Sequence, residues 1–150
     1  RCSWAILGKA GESVTASCGV KVPVDLPLSA PLDYDYIAVI GGLLPQIASV
    51  DPAQVAFLRE VARSQIPLIG ICTGSFVLAR FDLLNGHAPC IHPFHVDDWE
   101  SMHPALAFET RSHYAIGSNR ITCPGGISIV ELAAELVRVH CGADRAASRE

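Results

Sequence analysis

The five residues Gly70-Ile71-Cys72-Thr73-Gly74 constrain the fold of this chain more than any other feature. They end the apolar run that begins at Pro67 and lead directly into Ser75-Phe76-Val77-Leu78-Ala79-Arg80. The form is G-x-C-x-G between a buried strand and a helix, the context in which a G-x-S-x-G nucleophile elbow is recognised. Small residues at both ends permit a sharp turn. The turn lifts the central side chain out at the carboxyl edge of the sheet, where ligands collect in open α/β folds. Cys72 is therefore expected to face a crevice, its sulfur beside free amides of a helix start, which favour thiolate over thiol. The competing expectation is a buried, inert thiol, because free cysteine usually packs as a small hydrophobe.

The rest of the chain agrees with an α/β domain. After residue 35, short β-rich pieces alternate with helical patterns, the mark of βα units and a largely parallel sheet. Tyr36 to Ile40 reads as a buried central strand stopped by Gly41-Gly42. Asp51-Pro52-Ala53-Gln54 opens a helix with an N-cap acid, a first-position proline and a capping-box Gln. Asn85-Gly86 marks a turn before a strand near Ala88 to Ile91, and a His-rich helix is expected from Pro93 to about Met102. Tyr114 to Ile116 and Arg120 to Thr122 can pair through Gly117-Ser118-Asn119. The last helix, near Gly125 to Cys141, puts Glu131, Glu135 and Arg138 on one face and Ile127, Val130, Ala134 and Val137 on another. Upstream, Trp4 to Leu7 and Ser13 to Ala16 suggest a hairpin or a sheet edge, and Val22 to Pro31, with three prolines, an extended connection.

With 150 residues, 50% of them apolar and 17% charged, the chain is one domain with more interior or interface than usual, and disorder is excluded as its main state. A net charge of −4 provides no field for phosphate backbones, and no helix-turn-helix, zinc-finger or Walker pattern occurs. Direct nucleic-acid binding, a membrane span and a cofactor are not expected. Six scattered cysteines with no CxxC pair read as reduced thiols in a cytoplasm. A chain that starts at Arg1 reads as a cut or processed piece.

His92 lies twenty positions beyond Cys72, where the adjacent strand edge could offer an imidazole to the sulfur, making it the candidate base. Cys90, His92, His95 and Asp97 crowd one segment and raise the alternative of a metal, but neither paired cysteines nor HExxH spacing is present. No acidic residue is obviously placed to orient His92, although Asp97, Asp98 and Glu100 follow it and Asp35 precedes the Tyr36 to Ile40 strand. The Gly41-Gly42 and Thr73 amides are candidates to hold an oxyanion or a carboxylate. The expected site is thus Cys72 and His92 as a catalytic pair, vestigial or retained, with Gly41, Gly42, Cys72, Thr73, His92 and His95 around a ligand.

The stretches PLIGICTGSFVLARFDLLNGHAPCIH, YDYIAVIGGLLP and RITCPGGISIVELAAELVRVHCGADRA carry a resemblance that covers nearly the whole chain. They resemble the ThiJ/PfpI-type, class I glutamine amidotransferase-like domain at the amino end of a branch of AraC-family transcription regulators. The resemblance implies a three-layer α/β/α sandwich with a mostly parallel, flavodoxin-like sheet, here without the usual N-terminal strand and helix. It divides the chain into an N-terminally incomplete sensor domain, 1–142, and the start of a linker, 143–150, to a helix-turn-helix domain absent from this chain. It also implies a homodimer that senses a small nitrogenous metabolite and reaches DNA only through that absent domain. Hydratase-like enzymes of the superfamily tend to show Thr-His-Trp where this chain has Pro93-Phe94-His95, which points to binding without turnover. A cysteine enzyme of hydratase, amidase or hydrolase type using Cys72 and His92 remains the alternative.

Overall fold

The computed structural model describes residues 2–29 and 33–142, so the expected linker at 143–150 lies outside the described residues. Its centre is a four-stranded sheet of β5 (Ile37–Ile40), β6 (Leu68–Ile71), β8 (Arg120–Cys123) and β7 (Ala115–Ile116), in the order β5-β6-β8-β7. The first three strands are parallel, with Ile69 opposite both Ala38 and Ile121, and β7 closes the far side antiparallel through the expected hairpin. The period-two alternation of β6 sends Leu68 to one face and Ile69 to the other, so both faces need cover.

Helices supply it. On one face α1 (Pro52–Arg63), α2 (Gly74–Arg80) and α3 (Val96–Met102) pack Phe57, Leu58, Val61, Phe76, Leu78 and Trp99 around Leu68 and Ile91. On the other, α4 (Ser128–Cys141) packs Leu132, Ile129 and Leu136 on Ile69, Ile121 and Cys123. The result is the expected α/β/α sandwich. α1 starts as its sequence dictates: Pro52 is its first residue and the Asp51 carboxylate accepts from the Ala53 amide at 2.8 Å. Asn85 and Gly86 both take positive φ, 52° and 77°, making the turn that returns the chain from α2.

Four expectations give way. First, Ile37–Ile40 is an edge strand among the described residues: Ile37 is buried, but Ala38 is exposed and Ile40 is 69% exposed. A β-branched apolar run reports a preference for burial, and cannot say how many neighbours the strand has. Second, Ser13–Thr15 (β2) pairs antiparallel with Lys21–Pro23 (β3), not with residues 4–7, because Gly19 at φ 87° reverses the chain there. Leu7–Gly8 (β1) instead pairs parallel with Leu26–Pro27 (β4), inside the stretch read as extended connection. Third, the strand near Ala88 to Ile91 is a single bridge from Cys90 to Glu109; Pro89 lacks the amide a ladder needs. Fourth, the α4 stripe at Ile127, Val130, Ala134 and Val137 does not face the sheet, a place taken by Ile129, Leu132 and Leu136.

At the end of the sheet remote from the elbow, Arg120 is buried without a carboxylate partner among the described residues. Its Nε donates to the Leu83 carbonyl and a terminal nitrogen donates to Asn119 O at 2.7 Å. Beside it the Thr122 hydroxyl accepts from the Cys90 amide at 2.9 Å and meets His87 Nε2 at 3.1 Å. Burial, with Arg120 adding to it, lowers the His87 pKa.

Candidate functional site

The elbow forms where the sequence places it. Cys72 follows the central strand β6, precedes α2 and holds φ at 55°, a left-handed conformation that L residues other than glycine seldom adopt. Its amide donates to Cys123 O at 2.9 Å and its carbonyl accepts from Ser75 N at 3.2 Å, so backbone bonds on both sides fix the turn. The flanking glycine is a steric necessity: a methyl group on Gly74 would overlap the Val39 carbonyl oxygen. Gly41 faces the same junction, where a side chain would overlap the Thr73 hydroxyl and the Gly74 amide. The Cys72 side chain is exposed, and Gly125 roofs it so closely that an added methyl would lie 3.3 Å from the sulfur.

Around that turn the candidates separate. Thr73 is buried and its hydroxyl donates to Gly42 O at 2.6 Å, joining the ends of β5 and β6. The amides of Gly42 and Thr73 have no acceptor among the described residues. The Gly41 amide differs: it donates to Ile71 O at 3.1 Å, continuing the sheet, and is not free for a ligand. Gly41 serves the site by its lack of a side chain.

His92 is exposed, and its Nδ1 accepts from the Phe94 amide at 3.1 Å, capping the 3-10 turn Pro93–His95. No hydrogen bond joins it to Cys72 among the described residues. His95 instead pairs with Asp98, Nδ1 to Oδ2 at 2.9 Å, one helical turn apart. Phe76 in α2 stands edge-on to Trp99 at 4.8 Å and to His95 at 5.9 Å, so one buried ring ties the elbow helix to the histidine segment.

Between these parts lies an open cleft of about 590 Å³. Leu43, Leu44, Pro45 and Ala48 form one wall, and Phe94, His95, Asp98 and Met102 the other, with Thr73 and Arg80 contributed by the elbow and its helix. Of the expected ligand set, Thr73 and His95 line this cleft; Cys72 and His92 do not. Phe94, 80% exposed, and the Asp98 and Arg80 charges offer an apolar surface with one anion and one cation. Sequence reasoning missed Arg80, whose only signal was its place in the last turn of the elbow helix. Asp98 was visible as a neighbour of His92, but the i, i+3 spacing to His95 decides its partner.

A metal finds no cluster of three donors from His, Cys, Asp or Glu among the described residues. Cys90 is fully buried, its thiol donates to Ser112 O at 3.0 Å, and burial pushes its pKa up to about 12, far from a ligating thiolate. Burial likewise raises the Cys123 pKa. Among the described residues no helix is long and apolar enough to cross a membrane.

A mostly parallel α/β sandwich whose central strand delivers an exposed cysteine through a strained elbow defines a class of thiol-bearing open α/β domains. The chain belongs to the DJ-1/PfpI family, whose match runs over residues 2–138. Among its relatives, the HTH-type transcriptional regulator CdhR of Pseudomonas aeruginosa is 34% identical over 134 residues, 89% of this chain and 39% of that protein. The regulator GbdR of the same organism is 31% identical over 145 residues, 97% of this chain and again 39% of that protein. The chain thus spans about two fifths of the length of these relatives. A solved AraC family transcriptional regulator from Pseudomonas putida shares the fold with a TM-score of 0.77 at 23% identity, covering 96% of this chain and 77% of that one. Oxidised Toxoplasma gondii DJ-1 superposes at 0.71 and 24% identity, covering 95% of this chain and 77% of that one.

Proposed function

We propose that this chain is the ligand-sensing and dimerising domain of an AraC-type transcriptional regulator, acting in the cytoplasm and reaching DNA through a separate helix-turn-helix domain. The observation that carries the reading is the similarity, along most of this chain, to two HTH-type regulators, CdhR and GbdR. The site agrees with binding in preference to turnover. Among the described residues the elbow thiol has no hydrogen-bonded base, while the cleft beside it holds Arg80 for a carboxylate and the His95-paired Asp98 for an ammonium, with aliphatic walls between. That set of groups suits a small nitrogenous metabolite of amino-acid or betaine type. Such a ligand would act by linkage: whichever dimer arrangement it prefers gains population in proportion to its differential affinity.

Calorimetry of the chain against amino acids, betaines and short amides tests this. Saturable heat from one class, lost in Asp98→Asn or Arg80→Gln, supports it; silence across the panel with thiol-dependent hydrolysis of any substrate refutes it. The enzyme alternative rests on the exposed Cys72 and the acceptor-free Gly42 and Thr73 amides. A cysteine protease described as putative, YraA of Bacillus subtilis, is 32% identical over 80 residues, 52% of this chain and 47% of that protein. Wild type and Cys72→Ala compared on isonitriles, amides and glyoxals separate the two readings, since equal and null activity removes the enzyme.

A further inference from the structure

A second cavity, of about 380 Å³, opens between the end of α2 and the turn that follows α3. It shares Arg80 and Met102 with the cleft and otherwise has its own walls, among them Asp82, His103, Pro104 and Leu106. The cavity is preformed. The His103 carbonyl accepts from the Leu106 amide at 3.0 Å and the Trp99 indole donates to Leu106 O at 3.2 Å, which fastens the turn to α3.

Two features of this lining are unexplained by the fold alone. The first is His103 Nε2, the one buried side-chain nitrogen or oxygen without a hydrogen-bond partner among the described residues. Buried polar groups are almost always partnered, so an orphan calls for a reason. The second is Asp82. Leu83 N donates to Leu78 O at 2.8 Å and Asp82 N to Ala79 O at 3.1 Å, the pattern that ends a helix on a left-handed residue, usually glycine. Here that residue is an aspartate at φ 57°. A disfavoured backbone kept at a cavity points to a use for the side chain.

The hydrogen-bonding groups define the guest. Arg80 and Asp82 have no ion-pair partner among the described residues. Burial, with Arg80 adding to it and Asp82 opposing, holds the His103 pKa below the ordinary imidazole value, so the ring is neutral at neutral pH with one N–H and one lone pair. Its centroid lies 4.9 Å from that of Trp99 and 6.2 Å from that of Phe76. A nitrogen sealed beside aromatic rings keeps the proton, because a π surface attracts an N–H and repels a lone pair. Nδ1 is then the lone pair left for the cavity. Arg80 thus supplies donors, and Asp82 and His103 supply acceptors. An ion would meet a like charge, a carboxylate facing Asp82 and an ammonium facing Arg80. A neutral group with one carbonyl and two N–H bonds matches all three side chains.

We propose that this cavity is a second ligand site, for a primary carboxamide whose oxygen sits on Arg80 and whose two N–H bonds point to Asp82 and His103 Nδ1. Met102, Pro104 and Leu106 cover the alkyl part. The Arg80 guanidinium carries N–H donors on both edges of a planar fork, so it can serve the cleft and this cavity together. The site stands apart from the sensing reading, which concerns the cleft.

Amide-resolved NMR titration of the full chain with propionamide tests it. Saturable shifts are expected at the Asp82, His103, Ala105 and Leu106 amides. Three controls are expected to bind at least about tenfold more weakly: N,N-dimethylpropionamide, which keeps the carbonyl and loses both donors, propionate, and propylammonium. His103→Phe keeps a ring and removes the orphan, and Asp82→Gly relieves the left-handed residue. Both are expected to match or exceed the wild-type urea midpoint while weakening propionamide binding at least about tenfold. Either variant, folded and binding propionamide like wild type, overturns the site. Wild type without a saturable shift overturns it, and so does any of the three controls binding as well as the amide. Shifts at Leu43 and Ala48 report the cleft separately, so failure here leaves the sensing reading untouched.

Discussion

Phe76 is the buried ring that couples the elbow helix to the cleft wall, and its replacement tests whether that coupling organises the site. The side chain is 1% exposed and stands edge-on to Trp99 and His95. Truncation to Ala removes the transfer free energy of the ring and leaves a cavity, together about 3–5 kcal/mol. Phe76→Leu keeps most of the volume and loses the aromatic geometry, about 0.5–1.5 kcal/mol, with a reshaping cost of under about 1.5 kcal/mol. Urea denaturation at constant m measures both losses. Near-ultraviolet circular dichroism reads the neighbour, because Trp99 is fully buried whereas the other tryptophan, Trp4, is exposed and contributes little. The expected order is wild type, then Leu lower by about 1–2 kcal/mol with a weakened tryptophan band, then Ala lower by at least about 3 kcal/mol. An Ala variant that loses under about 1 kcal/mol, or a Leu variant with an unchanged band, refutes the claim that this ring organises the cleft wall.

Other perturbations follow from the same geometry. Gly74→Ala forces a methyl into the Val39 carbonyl and is expected to yield insoluble or grossly destabilised protein, read by soluble yield and urea midpoint. Asp51→Ala removes the α1 cap and costs about 1 kcal/mol, measured the same way. Iodoacetamide near pH 9 followed by peptide mapping is expected to label Cys72 while Cys90, with its pKa pushed up to about 12, reacts only after denaturation. His87, whose pKa burial holds below the ordinary imidazole value of about 6.5, binds its proton more readily unfolded, so its contribution is present above that pH and lost as pH falls below it. His87→Gln is expected to flatten that part of the stability–pH curve.

The elbow was legible because its requirements are local: two glycines, a strand before and a helix after, all within about a dozen residues. The N-cap at Asp51 and the turn at Asn85-Gly86 were legible for the same reason. What sequence did not disclose is relational. Tyr36 to Ile40 reads as central because its residues are apolar, yet edge or centre depends on which strands exist beside it. The α4 heptad row is a real pattern, but the helix carries two such rows, and only packing against Ile69 and Ile121 decides that Leu132 faces inward. The pairing of His95 with Asp98, and the turning of His92 to its own backbone, depend on the Pro93 turn, which fixes where each imidazole points.

Arg120 gives the sheet two unlike ends. A cation sunk without a carboxylate among the described residues, and held there by the Leu83 and Asn119 carbonyls, would be left stranded by any loosening, at a cost of several kcal/mol. That end behaves as a clamp. The opposite rim carries the strained elbow and the open cleft, so a sunken cation anchors one end of the sheet while the other end is left accessible.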